Sequence, residues 1–254
     1  MDVVAVRLDT SLPVEKVYTL LRFVDQNKHA RIKSFIHKED KDRCLIGDIL
    51  VRYMIGAALR ISPCEVKFTH NEYGKPFIEG SPVYFNLSHS GSWVVAAVDD
   101  NENGVDVQEI GECNLEIAQQ FYRKSEYMKI LDVNEQHRAD LFYEYWTLKE
   151  CYIKTAGKGL SMALNSFVLQ KLEKDIYKSY LEDKEIYLKL YPLDSSYKMA
   201  VSSLSCRFSN LRILTPQELY TLFITSLNTH SSHVFNIRSK NNINWKDGQE
   251  LWKK

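Results

Sequence analysis

Gly104-Val105-Asp106-Val107-Gln108 and, further along, Trp146-Thr147-Leu148-Lys149-Glu150-Cys151-Tyr152-Ile153-Lys154 are the stretches on which the fold turns. In the first, valines alternate with polar residues. A strand therefore buries Val105 and Val107 and turns Asp106 and Gln108 to the opposite face. Aspartate is a poor strand former, so Asp106 between two valines needs a partner; a capped strand end or turn after Asp100-Asn101-Glu102-Asn103 is the alternative. In the second, Tyr145, Trp146, Leu148, Tyr152 and Ile153 supply the apolar side of a helix. Glu150 and Lys154 stand four residues apart and project from one face. An ordinary surface pair of this kind is worth about 0.3–0.5 kcal/mol. Here the helix runs into Ala156-Gly157-Lys158-Gly159, where glycine permits a left-handed terminus and a close backbone approach. Two carboxylates and a lysine on regular elements suit a magnesium-assisted reaction on a diphosphate, because magnesium takes one or two protein carboxylates and completes its shell with water and phosphate oxygens.

Working outward, Glu72-Tyr73-Gly74-Lys75-Pro76 reads as a turn, and Tyr84-Phe85-Asn86-Leu87-Ser88-His89-Ser90-Gly91 as a strand ending in a polar loop. Ser88 beside His89 is no hydrolase pair: neighbours on an extended chain face opposite ways, and no G-x-S-x-G elbow occurs. With Lys75, His89 is a candidate donor to phosphate.

The periodicity predicts an opening strand at Val3 to Leu8, helices near Val14 to Val24 and Asp40 to Arg60, and strands near Glu65 to Thr69 and Trp93 to Asp99. After Gly104 a strand is followed by helices near Leu115 to Leu131 and Glu135 to Ala156. Strands then come near Phe167 to Leu172, Ile186 to Pro192 and Tyr197 to Leu204. Strand, helices, strands occurs twice, which predicts an α+β fold of two related halves, 1–103 and 104–215. A helix and polar tail, 216–254, follow; Asn228 to Asn244 is rich in Asn, Ser and His, with Trp245 and Trp252 as possible anchors.

Composition bounds the function. Thirty-three basic residues balance thirty-three acidic ones in 254, against the basic excess of a nucleic-acid binder. Five cysteines without C-x-x-C spacing suit a reduced protein. With no apolar run long enough to span a membrane and no basic-then-apolar leader, the expectation is a cytoplasmic protein with no membrane partner.

Taken in order, Tyr73-Gly74-Lys75-Pro76, Asn86-Leu87-Ser88-His89-Ser90, Gly104-Val105-Asp106-Val107 and Trp146-x-x-Lys149-Glu150-x-x-x-Lys154 with Gly157-Lys158-Gly159-Leu160 resemble the motifs of the Sfp-type 4'-phosphopantetheinyl transferases. The likeness runs from the amino terminus, through His37-Lys38-Glu39-Asp40 and Arg43 to Leu50-Val51-Arg52, and on to about Val201. It implies an enzyme that transfers the phosphopantetheine arm of coenzyme A to a serine of an acyl or peptidyl carrier protein and releases adenosine 3',5'-bisphosphate. It also implies two pseudo-twofold α+β halves, coenzyme A in the cleft between them, and a carrier docked on the segment from Lys158 to about Lys189; a two-half chain that completes its own cleft is expected to be a monomer.

Residue by residue, the resemblance gives Asp106 and Glu150 to magnesium. Glu150, directly or through a water, deprotonates the carrier serine. Lys154 neutralises the phosphate or protonates the leaving group. Ser88 and His89 contact coenzyme A phosphates, Lys75 the adenylate region, and Lys28, Arg31 and Arg43 the 3'-phosphate end. One position departs from the family: where a third acidic ligand is usual, this chain has Gln108, whose amide oxygen can coordinate magnesium but adds no charge. Gln108 is also the one feature favouring a catalytically silent coenzyme A or carrier-binding protein, against which the presence of both Glu150 and Lys154 argues.

Overall fold

The computed structural model describes residues 1–229. Most of the tail expected after Asn228, with Trp245 and Trp252, lies outside the described residues. The chain is α+β. It runs β1 (Asp2–Arg7), α1 (Val14–Leu21), α2 (Gln26–Ser34), α3 (Lys38–Leu59), β2 (Thr69–His70), β3 (Pro76–Phe77), β4 (Tyr84–Ser90), β5 (Trp93–Asp99), β6 (Asn103–Glu109), α4 (Leu115–Phe121), α5 (Lys124–Asp132), α6 (Glu135–Ala156), β7 (Gln170–Lys171), β8 (Ile176–Leu181), β9 (Lys184–Tyr191), β10 (Tyr197–Ser203), β11 (Leu211–Leu214) and α7 (Pro216–Thr229). The strands form sheets of order β11-β1-β5-β4, β6-β10-β9-β8-β7 and β2-β3. Among the described residues no helix is long and apolar enough to cross a membrane.

Two compact units emerge. One comprises Met1–Val4, Phe68–Gly91 and Val95–Arg212; the other comprises Ala5–Lys67, Ser92–Val94 and the chain from Ile213 on.

In the first unit, α6 packs on the sheet begun by β6. Leu148, Cys151, Tyr152 and Ile153 meet Tyr177, Ile186, Leu188 and Ala200, while its outer side closes on α4 and α5 through Phe142 and Tyr145. The helix is thus enclosed on two sides, which leaves Glu150 and Lys154 on the strip between. In the second unit α3 carries α1, α2 and α7, and Phe23 meets Phe223 edge-on at 5.2 Å.

Several expected boundaries move for physical reasons. Residues 26–34, where no element was expected, form α2 because Asp25 Oδ1 accepts the Lys28 amide at 2.8 Å and caps its start. The strand expected from Glu65 begins at Thr69, since Pro63–Glu65 winds into a 3-10 turn closed by the Ser62 amide on Glu65 Oε2 at 2.9 Å. The helix expected over 115–131 breaks at Tyr122, where Glu126 Oε2 accepts the Arg123 amide at 2.9 Å and starts α5. Of the strand expected over 167–172 only β7 remains, and Phe167 instead stacks on Tyr152 at 3.8 Å. Strand β8 was absent from the sequence reading.

Candidate active site

The site grows from one close approach. Gly104 lies where β6 passes beneath α6: a Cβ there would stand 2.2 Å from the Cys151 carbonyl oxygen and 2.9 Å from the Thr155 amide nitrogen. Only glycine lets strand and helix come so near. A buried polar seam fixes the contact. The Cys151 thiol donates to the Gly104 carbonyl at 3.3 Å and to Ser202 Oγ at 3.0 Å, and the Thr155 hydroxyl bonds to Ser202. Burial pushes the Cys151 thiol far up, so it stays protonated.

The other edge of β6 is satisfied by side chains. Along β4, Asn86 Oδ1, Ser88 Oγ and Ser90 Oγ accept the amides of Val105, Val107 and Glu109 at 3.1, 3.4 and 3.0 Å. The Asn86-x-Ser88-x-Ser90 alternation therefore stands in for a strand's own carbonyls, and the expected polar loop is strand to Ser90. Ser88 faces inward and is buried while His89 is exposed, as the extended backbone requires.

Asp106, 1% exposed, sits at the centre. Its Oδ1 accepts Ser88 Oγ at 2.8 Å and Lys154 Nζ at 2.6 Å, and its Oδ2 accepts Gln108 Nε2 at 2.9 Å. That satisfies the cost of an aspartate in a buried strand. Lys154 also donates to Ser88 Oγ at 2.9 Å and to the Val105 carbonyl at 3.1 Å. Glu150, one turn earlier on α6, is half-buried; its carboxylate takes no hydrogen bond among the described residues. Burial raises its pKa and the Asp106 charge raises it further, with partial relief from Lys154. Two carboxylates thus face one ammonium, a hard-oxygen donor set that fits a divalent cation. The third ligand foreseen in Gln108 keeps its amide oxygen available, since its nitrogen faces Asp106. Among the described residues no group of three or more His, Cys, Asp or Glu could hold a metal ion.

Lys75 reaches the same helix from the turn. Its ammonium donates to the carbonyls of Lys154, Thr155 and Asn103 at 2.6, 3.3 and 3.4 Å, placing a cation at the α6 C-terminus. Burial pushes its pKa down. Asn71 completes the tie: Nδ2 donates to the Gly157 carbonyl at 3.0 Å, and Oδ1 accepts the Tyr73 and Lys75 amides. Gly157 ends α6 in the left-handed region, φ +68°, as the glycine-rich terminus foretold.

Lys28, Arg31 and Arg43 belong to the second unit, on α2 and α3. Arg43 pairs with Asp40 at 2.7 Å, Arg31 is exposed near the Phe35 ring, and Lys28 lies 3.8 Å from Asp48. The sequence sets Asn86, Ser90 and Lys149 within motifs without naming their partners, and gives no role to Asn71, Asp48 or Glu126. Only the alternation of Asn86, Ser88 and Ser90 left a visible signal.

Comparison with known proteins agrees with this geometry. Residues 13–101 match the family model described as 4'-phosphopantetheinyl transferase, N-terminal, and residues 102–202 that of the 4'-phosphopantetheinyl transferase superfamily. The 4'-phosphopantetheinyl transferase Sfp of Bacillus subtilis (strain 168) is 37% identical over 204 residues, 79% of this chain and 91% of that protein. The 4'-phosphopantetheinyl transferase gsp of Aneurinibacillus migulanus is 35% identical over 207 residues, 80% and 86% of the two chains. The solved holo-[acyl-carrier-protein] synthase of Thermotoga maritima overlaps 42% of this chain and 64% of its own at 18% identity and a TM-score of 0.31. The chain belongs to the 4'-phosphopantetheinyl transferase superfamily, enzymes whose family activity is the transfer of phosphopantetheine to carrier proteins.

Proposed function

We propose that this chain moves the phosphopantetheine arm of coenzyme A onto a serine hydroxyl of an acyl or peptidyl carrier protein, with magnesium, and releases adenosine 3',5'-bisphosphate. The observation that carries this reading is the meeting of Asp106, Glu150 and Lys154 at one spot, in a chain of this family. Magnesium, held by Asp106 and Glu150 with the Gln108 amide oxygen as a neutral third donor, supplies the positive charge that a diphosphate needs neutralised.

The chain's own groups do the rest. The serine oxygen forms a bond to the phosphorus nearest the pantetheine while the anhydride P–O bond breaks. The serine proton passes to Glu150, directly or through one water; burial and the Asp106 charge raise its pKa. Charge on the leaving bisphosphate is met by Lys154 and His89. Alignment and charge neutralisation are most of what such a transfer requires. Lys28, Arg31 and Arg43 take the 3'-phosphate, and the turn bearing Lys75 lies at the adenylate. The enzyme works as a monomer.

Intact-mass spectrometry of an apo carrier protein incubated with the chain, coenzyme A and magnesium tests this. A gain of one phosphopantetheine arm is expected, lost with EDTA or in Asp106→Ala. Unchanged carriers of fatty-acid, polyketide and nonribosomal-peptide type, with coenzyme A still bound tightly, would instead mark a silent relative and point to Gln108.

A further inference from the structure

Behind Lys28 lies a buried charge assembly that the transfer reaction leaves unexplained. Asp48 and Arg52, four residues apart on α3, are 3% and 4% exposed. Arg52 Nε donates to Asp48 Oδ2 at 2.6 Å, and its Nη1 to the Val66 carbonyl at 2.7 Å; its Nη2 lies 3.5 Å from Asp25 Oδ2. Both carboxylates also reach Lys28. Asp25 Oδ1 accepts its amide at 2.8 Å, and Asp48 Oδ1 lies 3.8 Å from its ammonium. One end of the assembly therefore sets the backbone of Lys28 and the other sets its tip.

The distances decide what this does. At 3.8 Å the Lys28–Asp48 contact is an ion pair without a hydrogen bond, so the donors of Lys28 remain open to a ligand. Asp48 is already bonded to Arg52 at 2.6 Å, which offsets its charge and limits its repulsion of an incoming anion. A lysine side chain held this way loses less rotamer freedom when it binds phosphate. Arg31, three residues on from Lys28 along α2, lies on the same face.

We infer that Asp48, braced by Arg52 and Asp25, is a positioning residue that aims Lys28 at the 3'-phosphate of coenzyme A and so sets the preference for coenzyme A over its 3'-dephospho form. This rests on the assignment of Lys28 to that phosphate, and the experiment separates the two.

Dissociation constants for coenzyme A and 3'-dephospho-coenzyme A are measured by calorimetry on the intact chain. In Asp48→Asn the amide oxygen can still accept from Arg52, but the amide NH2 turns toward Lys28 and repels it. Coenzyme A binding should weaken about tenfold, the scale of one misaligned charged contact, with dephospho-coenzyme A changed less than about twofold. In a Lys28→Met background Asp48→Asn should leave the ratio of the two constants unmoved. Equal losses for both ligands, or no loss for either, would overturn the inference. If Lys28→Met itself leaves the ratio unchanged, the phosphate assignment fails instead, and the inference with it. Should Asp48→Asn fold poorly, Asp48→Asn/Arg52→Gln removes both buried charges together and should show the same selective loss.

Discussion

Lys149 and Lys154 sit on one helix, each paired with a carboxylate at hydrogen-bond distance, yet they live in different solvents. Lys149 is 0% exposed; its ammonium meets Glu126 Oε2 at 2.9 Å and the Leu164 carbonyl at 2.8 Å, with the Tyr122 and Phe167 rings around it. The Lys154 side chain is 27% exposed and meets Asp106 at 2.6 Å. A phosphate can reach Lys154; nothing outside the core can reach Lys149. The Trp-x-x-Lys-Glu pattern thus joins a lysine that ties α6 to α5 and to the chain at Leu164 with a half-buried glutamate beside Asp106 and Lys154. Water access, not charge or spacing, tells these roles apart.

If that division is right, damage on the open face should abolish chemistry and spare the fold, and damage on the closed face should do the reverse. The largest effect belongs to Glu150→Gln, for which transfer should fall about a thousandfold or more, some 4 kcal/mol in the barrier. Its stability should move the other way. Glu150 has its folded pKa raised, so the folded state binds more protons than the unfolded one between the ordinary carboxylate value and the raised one, and stability falls as pH climbs through that window. Glu150→Gln should remove that fall, read as a higher Tm than the parent at neutral pH in EDTA and a smaller difference in acid. Next is Lys149→Ala, which strands Glu126 in the core. A loss of about 3–5 kcal/mol in urea unfolding is expected, with transfer per folded molecule retained. Lys154→Ala should cost about a hundredfold in kcat with the urea midpoint little changed, because Asp106 keeps its Ser88 and Gln108 donors. Equal stability losses in the two lysine variants would erase the contrast.

Much of this was legible in advance. Alternation placed Asp106 and Gln108 on one face of a strand, and their side chains do meet. Helical spacing set Glu150 and Lys154 together, and Gly157 turns left-handed as its type allows. What stayed hidden depended on long-range partners. The role of Asn86 and Ser90 exists only because β4 lies beside β6, many residues away. Lys149 had a place in the motif but no visible partner, because Glu126, its counter-ion, lies on a different helix. Strand β8 escaped because an inward position is Ser179 rather than an apolar residue, so the period-two signal was diluted. Helix α2, with only Ile32 buried, has almost no apolar stripe, and its Asp25 cap was the one local cue.

A smaller effect tests how the open face is held. Lys75 donates to carbonyls at the C-terminus of α6, including that of Lys154, so Lys75→Met should lose about 1–2 kcal/mol of stability from those hydrogen bonds and the helix dipole. Lys75→Arg, which keeps the charge, should recover part of it in thermal melts.

The smallest expected effect is the sharpest test of the closed face. Glu126→Gln/Lys149→Met takes both charges from the core at nearly constant volume. The parent pair bears a large desolvation cost, and Glu126 Oε1 is buried without a hydrogen-bond partner. A buried pair replaced as a pair is commonly neutral or better, so the double variant should unfold within about 1 kcal/mol of the parent, although Lys149→Ala alone loses several. Carrier modification should continue at the parental rate, because neither residue meets substrate. A double variant as unstable as Lys149→Ala would mean that the Leu164 carbonyl, left without its donor, and not the ion pair, is what Lys149 satisfies.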